Sequence, residues 1–287
     1  MLNSKERKEA KKDLQEAVDS QKVVADQLKE NMEYLYHTRQ KLKERIQEAM
    51  VYINSLKNVP ENLNVKIEKI QVNVSRYEGL LKQADVEYAK VKKQAGGTAA
   101  AGVGAGIGVA TLAPTAAMAV ATTFGTAATG TAIASLSGAA ATNAALAWLG
   151  GGALVTGGAG IAGGETLLAL AGPVGWAIGG AALLTGGAMA NGKNKKAAAE
   201  MKAQTIKVYA AERTQQALTT EIKRMDSLTE DDLVDIRSRI MMAQAYPLDF
   251  HEMTEAQISL LGTLVNNVHS AAKRLNSTLG ENGKFTD

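Results

Sequence analysis

The chain has no cysteine, four prolines, three phenylalanines and two tryptophans in 287 residues. Without thiols there is no disulfide framework and no thiolate metal site, so the fold rests on packing or on a membrane, and the redox compartment stays open. So few aromatics and prolines suit helices better than sheets, and little β-structure is expected. The opening "MLNSKERKEAKKDL" lacks the apolar run of a cleavable secretory signal. The formal net charge is only +3, an average that hides a sharp segregation.

Charge is almost missing from the middle of the chain. Glu165 is the only charged side chain between Lys93 and Lys193, and 24 of the 28 glycines fall in the same interval. The chain therefore divides into a polar arm over residues 1–94, a Gly/Ala/Thr-rich apolar centre over 95–192, and a second polar arm over 193–287.

Both arms carry heptad periodicity. Leu14, Val18, Ala25, Leu28, Met32, Leu35, Leu42, Ile46, Ala49, Ile53 and Leu56 follow steps of four and three, broken only by Gln21 and Arg39. At 1.5 Å per residue that helix is a rod of about 65 Å. "NVPEN" ends it at Pro60, and a second series runs Leu63, Ile67, Ile70, Val74, Tyr77, Leu81, Ala84, Tyr88, Val91. The short linker predicts antiparallel neighbours, with Leu35, Leu42 and Ile46 facing Ile70, Val74 and Leu81. In the C-terminal arm one stripe is Met201, Val208, Ala211, Gln215, Leu218, Ile222, Met225, and another runs from Ile258 to Leu279. Between them a separate helix is expected to enter at Ser227 or Thr229 and stop before Pro247, and a last one to enter at Thr254.

Two glycine motifs imitate nucleotide loops. Gly158, Gly160 and Gly163 have G-x-G-x-x-G spacing, similar to the cofactor loop of short-chain dehydrogenases. No ribose-reading charge follows before Lys193, and the Tyr88/Lys92 pair stands upstream on a heptad helix. Gly187, Gly192 and Lys193 copy a phosphate loop, but Asn194 stands where a magnesium-binding hydroxyl is needed. A nucleotide-dependent oxidoreductase remains only as a distant alternative. His37, His251 and His269 are scattered, so no catalytic residue, metal or cofactor is expected. The basic runs "KERKEAKK" and "KNKK" have no interleaved aromatics, and no nucleic-acid partner is expected.

The centre has the composition of a segment that meets lipid, or of a soluble imitation of lipid in which it packs against itself. About 20 helical residues cross a hydrocarbon core, so this block is long enough for two to four spans, and that many are expected. Gly102 with Gly106, Gly104 with Gly108, Gly160 with Gly164 and Gly175 with Gly179 stand four apart, the spacing that lets helix backbones touch in a membrane. Thr111, Thr115, Thr122, Thr126 and Thr129 share one helical face, which either lines a wet lumen or bonds neighbouring helices. Pro114, Gly150 to Gly152, and Gly172 with Pro173 break the block into four pieces. Trp148 and Trp176 lie near those breaks, where indoles anchor at a bilayer interface or fill a core. Lys92 and Lys93 on one flank, and Lys193, Lys195 and Lys196 on the other, are placed to snorkel. Glu165 either occupies the first turn of a helix or acts as a proton switch, neutralised in acid so that the segment enters lipid more easily.

If both basic flanks lie on one side of a bilayer, the number of crossings is even. The expected fold is all-α: an elongated antiparallel coiled-coil bundle with a central Gly/Ala-rich hydrophobic hairpin or double hairpin. Heptad arms around an interrupted apolar hairpin resemble the α-helical pore-forming toxins of the cytolysin A and haemolysin BL type, and are similar to the apolipoprotein L and type III translocator proteins. The resemblance implies a protein that converts from a soluble monomer to a membrane oligomer and permeabilises the bilayer. Its partners would be lipid and either further copies of itself or another subunit of a multi-component toxin. The soluble form is expected to be cytoplasmic or secreted without a cleavable signal. The alternative is a membrane-anchored coiled-coil scaffold or translocator.

Overall fold

The computed structural model describes residues 2–98, 125, 133, 136, 140, 144, 191–279 and 285–286. Four helices dominate these residues: α1 (Leu2–Asn54), α2 (Glu61–Thr98), α3 (Asn191–Ala243) and α4 (Glu255–Arg274). A 3-10 turn spans Phe250–Glu252, and β1 (Thr278–Leu279) pairs antiparallel with β2 (Phe285–Thr286). Apart from that two-residue pair the described residues are all-α.

α1 and α3 are each 53 residues long, about 80 Å as straight helices. They pack against each other along their length, and they run parallel. Cross-helix bonds join Glu6 to Lys202, Ser20 to Glu212, Gln21 to Gln215, Tyr34 to Glu230 and Tyr52 to the Ala243 carbonyl, so partner numbers rise together. This corrects the expected pairing of the α1 seam with α2. A heptad stripe specifies that a face is buried, not which helix covers it. α2 does run antiparallel to α1, as the Gln47–Glu78 bond near the linker shows, but its main contacts are with α4. α4 runs antiparallel to α3, fixed by Arg274–Asp232 and Asn267–Asp235.

The linker ends α1 through Asn58, whose φ of 53° lies in the left-handed region that asparagine tolerates, and Pro60 precedes the first residue of α2. The Asn58 amide donates to both oxygens of Asp249, and the Lys57 and Phe250 N–H groups bond the Leu248 and Lys57 carbonyls. The two turns at this end of the molecule are thereby zipped together. Thr254 caps α4 as expected, its hydroxyl accepting from the Gln257 N–H in a reciprocal capping box.

Thr229 behaves otherwise. It does not start a helix, because α3 continues through it; its buried hydroxyl donates to the Met225 carbonyl one turn back. The expected break in the C-terminal arm is therefore absent.

Two apolar cores follow from this arrangement. The larger spans all four helices, from Leu28 and Leu35 through Ile46, Ile70, Ile222, Ile240 and Val268 to Leu275. Ile133 of the apolar centre is fully buried in it, and Ala144 packs against it. The smaller joins Ala10, Leu14, Ala17 and Val18 of α1 to Ala198, Met201 and Val208 of α3. Three of those seven side chains are alanines, which bury little area, so this end of the rod is the weaker one.

Candidate functional site: a sealed arginine in the helix seam

Gln21 and Arg39, the two breaks in the α1 heptads, are both completely buried in the seam. Gln21 meets Gln215 between the two cores, its amide donating to the opposite carbonyl oxygen at 3.1 Å. Among the described residues the second pair of amide atoms, Gln21 Oε1 and Gln215 Nε2, has no partner. A half-satisfied polar layer in a heptad seam costs stability and fixes register and orientation.

Arg39 of α1 lies where α2, α3, α4 and β2 come together. Its Nη1 donates to the carbonyl of Leu275, which caps the C-terminal end of α4, where the helix dipole favours a cation. Its guanidinium carbon is 5.3 Å from the Phe285 ring centroid in β2, within cation–π range. Phe285 is held in turn by its N–H, which donates to the Glu221 carboxylate of α3 at 3.0 Å. Burial pushes the Arg39 pKa down to about 9, against the favourable effects of Tyr77 and Asp226, so the group is still charged at neutral pH.

The surroundings are similarly desolvated. Tyr77 of α2 is fully buried, its hydroxyl has no hydrogen-bond partner among the described residues, and burial raises its pKa. Burial also raises Asp226, although a hydrogen bond from Thr38 and the charge of Arg39 act to lower it. Asp232 is raised by burial too, against the opposing pull of its two bonds from Arg274. Asp235 goes the other way: burial raises it, but the Arg239 and Asn267 bonds together outweigh that effect.

An open groove of about 360 Å³ lies apart from this cluster, between α1 and α3, lined by Lys41, Glu44, Arg45, Glu48, Leu233, Val234 and Arg237. Among the described residues no group of three His, Asp or Glu side chains is placed to hold a metal. What the arginine junction can do is mechanical. It sets one buried charge of α1 against the end of α4 and the ring of β2, with Tyr77 of α2 and Asp226 of α3 close enough to act on it.

Of the sequence-predicted residues, Lys195 and Lys196 are exposed near the start of α3, and the backbone of Lys193 lies in its first turn. Asn194 is buried in the seam, where its side-chain oxygen accepts from Arg7. Gly102, Gly104, Gly106, Gly108, Gly160, Gly164, Gly175, Gly179, Thr115, Thr122, Thr126, Thr129, Trp148, Trp176 and Glu165 all lie outside the described residues. Among the described residues no helix is long and apolar enough to cross a membrane. The buried role of Arg39 was missed at the sequence level, though the signal was there: a heptad frame that resumes in phase after a charged residue keeps that residue in the seam.

No protein-family model matches the chain, and neither the curated proteins nor the solved structures yield a match.

Proposed function

We propose that the chain is a membrane-permeabilising protein that keeps its apolar centre against a helical body and then delivers it to a bilayer, assembling there as an oligomer. The observation that supports this reading is the direction of the two helices that flank that centre. α2 runs back toward the N-terminal end of α1, and α3 starts beside that same end, where Asn194 meets Arg7. A segment whose flanking helices lead toward and away from the same end of a rod suits entry into a bilayer as a hairpin with an even number of crossings. Burial of Ile133 in the main core supports a stored state, because part of the centre then contributes to the fold of the body. The alanine-rich packing at the exit end supports opening there first.

The glycines four apart would permit close helix packing after insertion, and the pore-forming resemblance fits the same architecture. A scaffold or translocator that merely anchors is the competing reading. Dye-loaded liposomes separate the two. Because the chain has no cysteine, a single Leu168→Cys can carry an environment-sensitive fluorophore. Leakage together with a blue shift of the probe is the expected result; a blue shift without leakage would favour the anchor. Neither signal across lipid compositions and pH would overturn the membrane reading.

A further inference from the structure

α2 and α4 lie side by side and parallel, pinned at two points. Lys66 Nζ donates to Asn266 Oδ1 at 2.7 Å, and the Asn276 amide donates to the Asn73 carbonyl at 2.9 Å. Between those pins the facing flanks present Lys69 on α2 and His269 and Lys273 on α4. Steps of three and four from Lys66 and Lys69 reach Asn73 and Arg76, so Arg76 shares that side of α2. Of the α2 carboxylates, Glu78 turns to α1, where it accepts from Gln47, while the exposed Glu61 and Glu68 stand one turn from Val65 and Val72, along the edge of this side. Every charge acting on His269 is a lysine, namely Lys273, Lys69 and Lys66, and together with partial burial these lower its pKa. Among the described residues no ion pair involves Lys66, Lys69, Arg76, His269 or Lys273.

Two exposed apolar side chains interleave with this charge. Val65 is 43% and Val72 67% exposed, and with Lys69 and Arg76 they form one stripe along the outer face of α2. No aromatic ring accompanies them on which a base could stack, which disfavours single-stranded nucleic acid. A two-helix face on which Lys66, Lys69, Arg76 and Lys273 outnumber the edge carboxylates Glu61 and Glu68, with shallow apolar side chains between, matches an anionic lipid surface. There each lysine or arginine adds to binding, and small apolar groups reach into the headgroup boundary.

We propose that the α2–α4 face, with Lys66, Lys69, Arg76 and Lys273 as its charges, docks the protein on anionic bilayers before insertion. The proposal rests on the permeabilising reading and specifies its first step. It also gives α2 a direction of use, since the helix that docks continues toward Thr98 and into the apolar centre, bringing that segment to the same surface.

The test uses the full chain and co-sedimentation with phosphatidylcholine vesicles with or without 30% phosphatidylserine. The wild type is expected to bind the anionic vesicles at least about tenfold better, with the preference falling in high salt. The variant Lys69→Glu/Arg76→Glu/Lys273→Glu should lose that preference while keeping helicity and melting temperature; Lys69→Gln/Lys273→Gln is the milder control. Equal binding of the wild type to both vesicles, or an undiminished preference in the folded variant, overturns the proposal. So does a variant that loses binding to an oligonucleotide but not to vesicles. Leakage is read separately: normal docking without leakage would sink the permeabilising reading and leave the docking face intact.

Discussion

Arg39 of α1, buried in the helix seam, and the partly buried Phe285 of β2 are 246 residues apart in the chain and lie face to ring, 5.3 Å from guanidinium carbon to ring centroid. The ring covers a charge that the seam would otherwise leave to water, and the Leu275 carbonyl answers it from a second side. A double-mutant cycle tests the coupling. Phe285→Ala should destabilise by about 1–2 kcal/mol in the wild type, as a cation–π pair and a partly buried ring are lost. It should cost distinctly less in Arg39→Met, which removes the buried charge and is itself close to neutral or stabilising. Chemical denaturation of the four proteins gives the cycle. Effects that add within about 0.3 kcal/mol would show that ring and arginine are independent.

The Gln21–Gln215 layer makes a different kind of prediction. One of its two amide bonds is unmade among the described residues, so a hydrophobic pair should pack better there. Gln21→Leu/Gln215→Leu is expected to raise stability by about 1–3 kcal/mol and to loosen register, since the polar layer no longer disfavours sliding or other pairings. Melting temperature reads the first effect, and spin-label distances across α1 and α3 read the second. A less stable double variant would show that the amides have partners worth more than apolar packing.

How much of this was readable beforehand differs from element to element. The seam positions were legible because burial imposes a 3.5-residue period: Leu14, Leu28, Leu35, Leu42, Ile46, Ile67, Ile70 and Val265 are all buried where the stripes put them. Thr254 was legible because its hydroxyl is followed by Gln257 at the capping-box distance. The partner of α1 was not, because a heptad stripe is indifferent to whether the helix across it is 20 or 194 residues away. Thr229 was misread for a related reason. The same hydroxyl that caps a helix can bond a carbonyl one turn back, and only packing decides.

Asp226 gives the molecule a pH dependence of defined sign. Burial raises its pKa above the ordinary 3.8, so the folded state holds the proton more tightly than the unfolded one in the window above that value. Its favourable contribution is full below pH 3.8 and is lost as pH rises through the raised value. Asp226→Asn keeps the shape and an acceptor for Thr38 but never carries the charge. It should therefore be more stable than the wild type at pH 7, with the difference shrinking toward pH 3. A constant difference across that range would mean that the carboxylate titrates alike in both states.

The proposed opening at the alanine-rich end of the rod can be blocked covalently. Ser20 and Glu212 touch across α1 and α3 at 2.9 Å on the exposed side of the seam, between the small core and the large one. In a chain without cysteine, Ser20→Cys/Glu212→Cys supplies the only two thiols, and a short reducible thiol cross-linker bridges them in the folded protein. If the two helices must part for the apolar centre to leave, the bridged protein should dock on anionic vesicles as before but release little dye. Reductant should restore leakage to the level of the unbridged variant, which excludes damage from the substitutions themselves. Full leakage from the bridged form would mean that α1 and α3 stay together during insertion. The centre would then have to leave the larger core, where Ile133 is buried, without any separation of the rod.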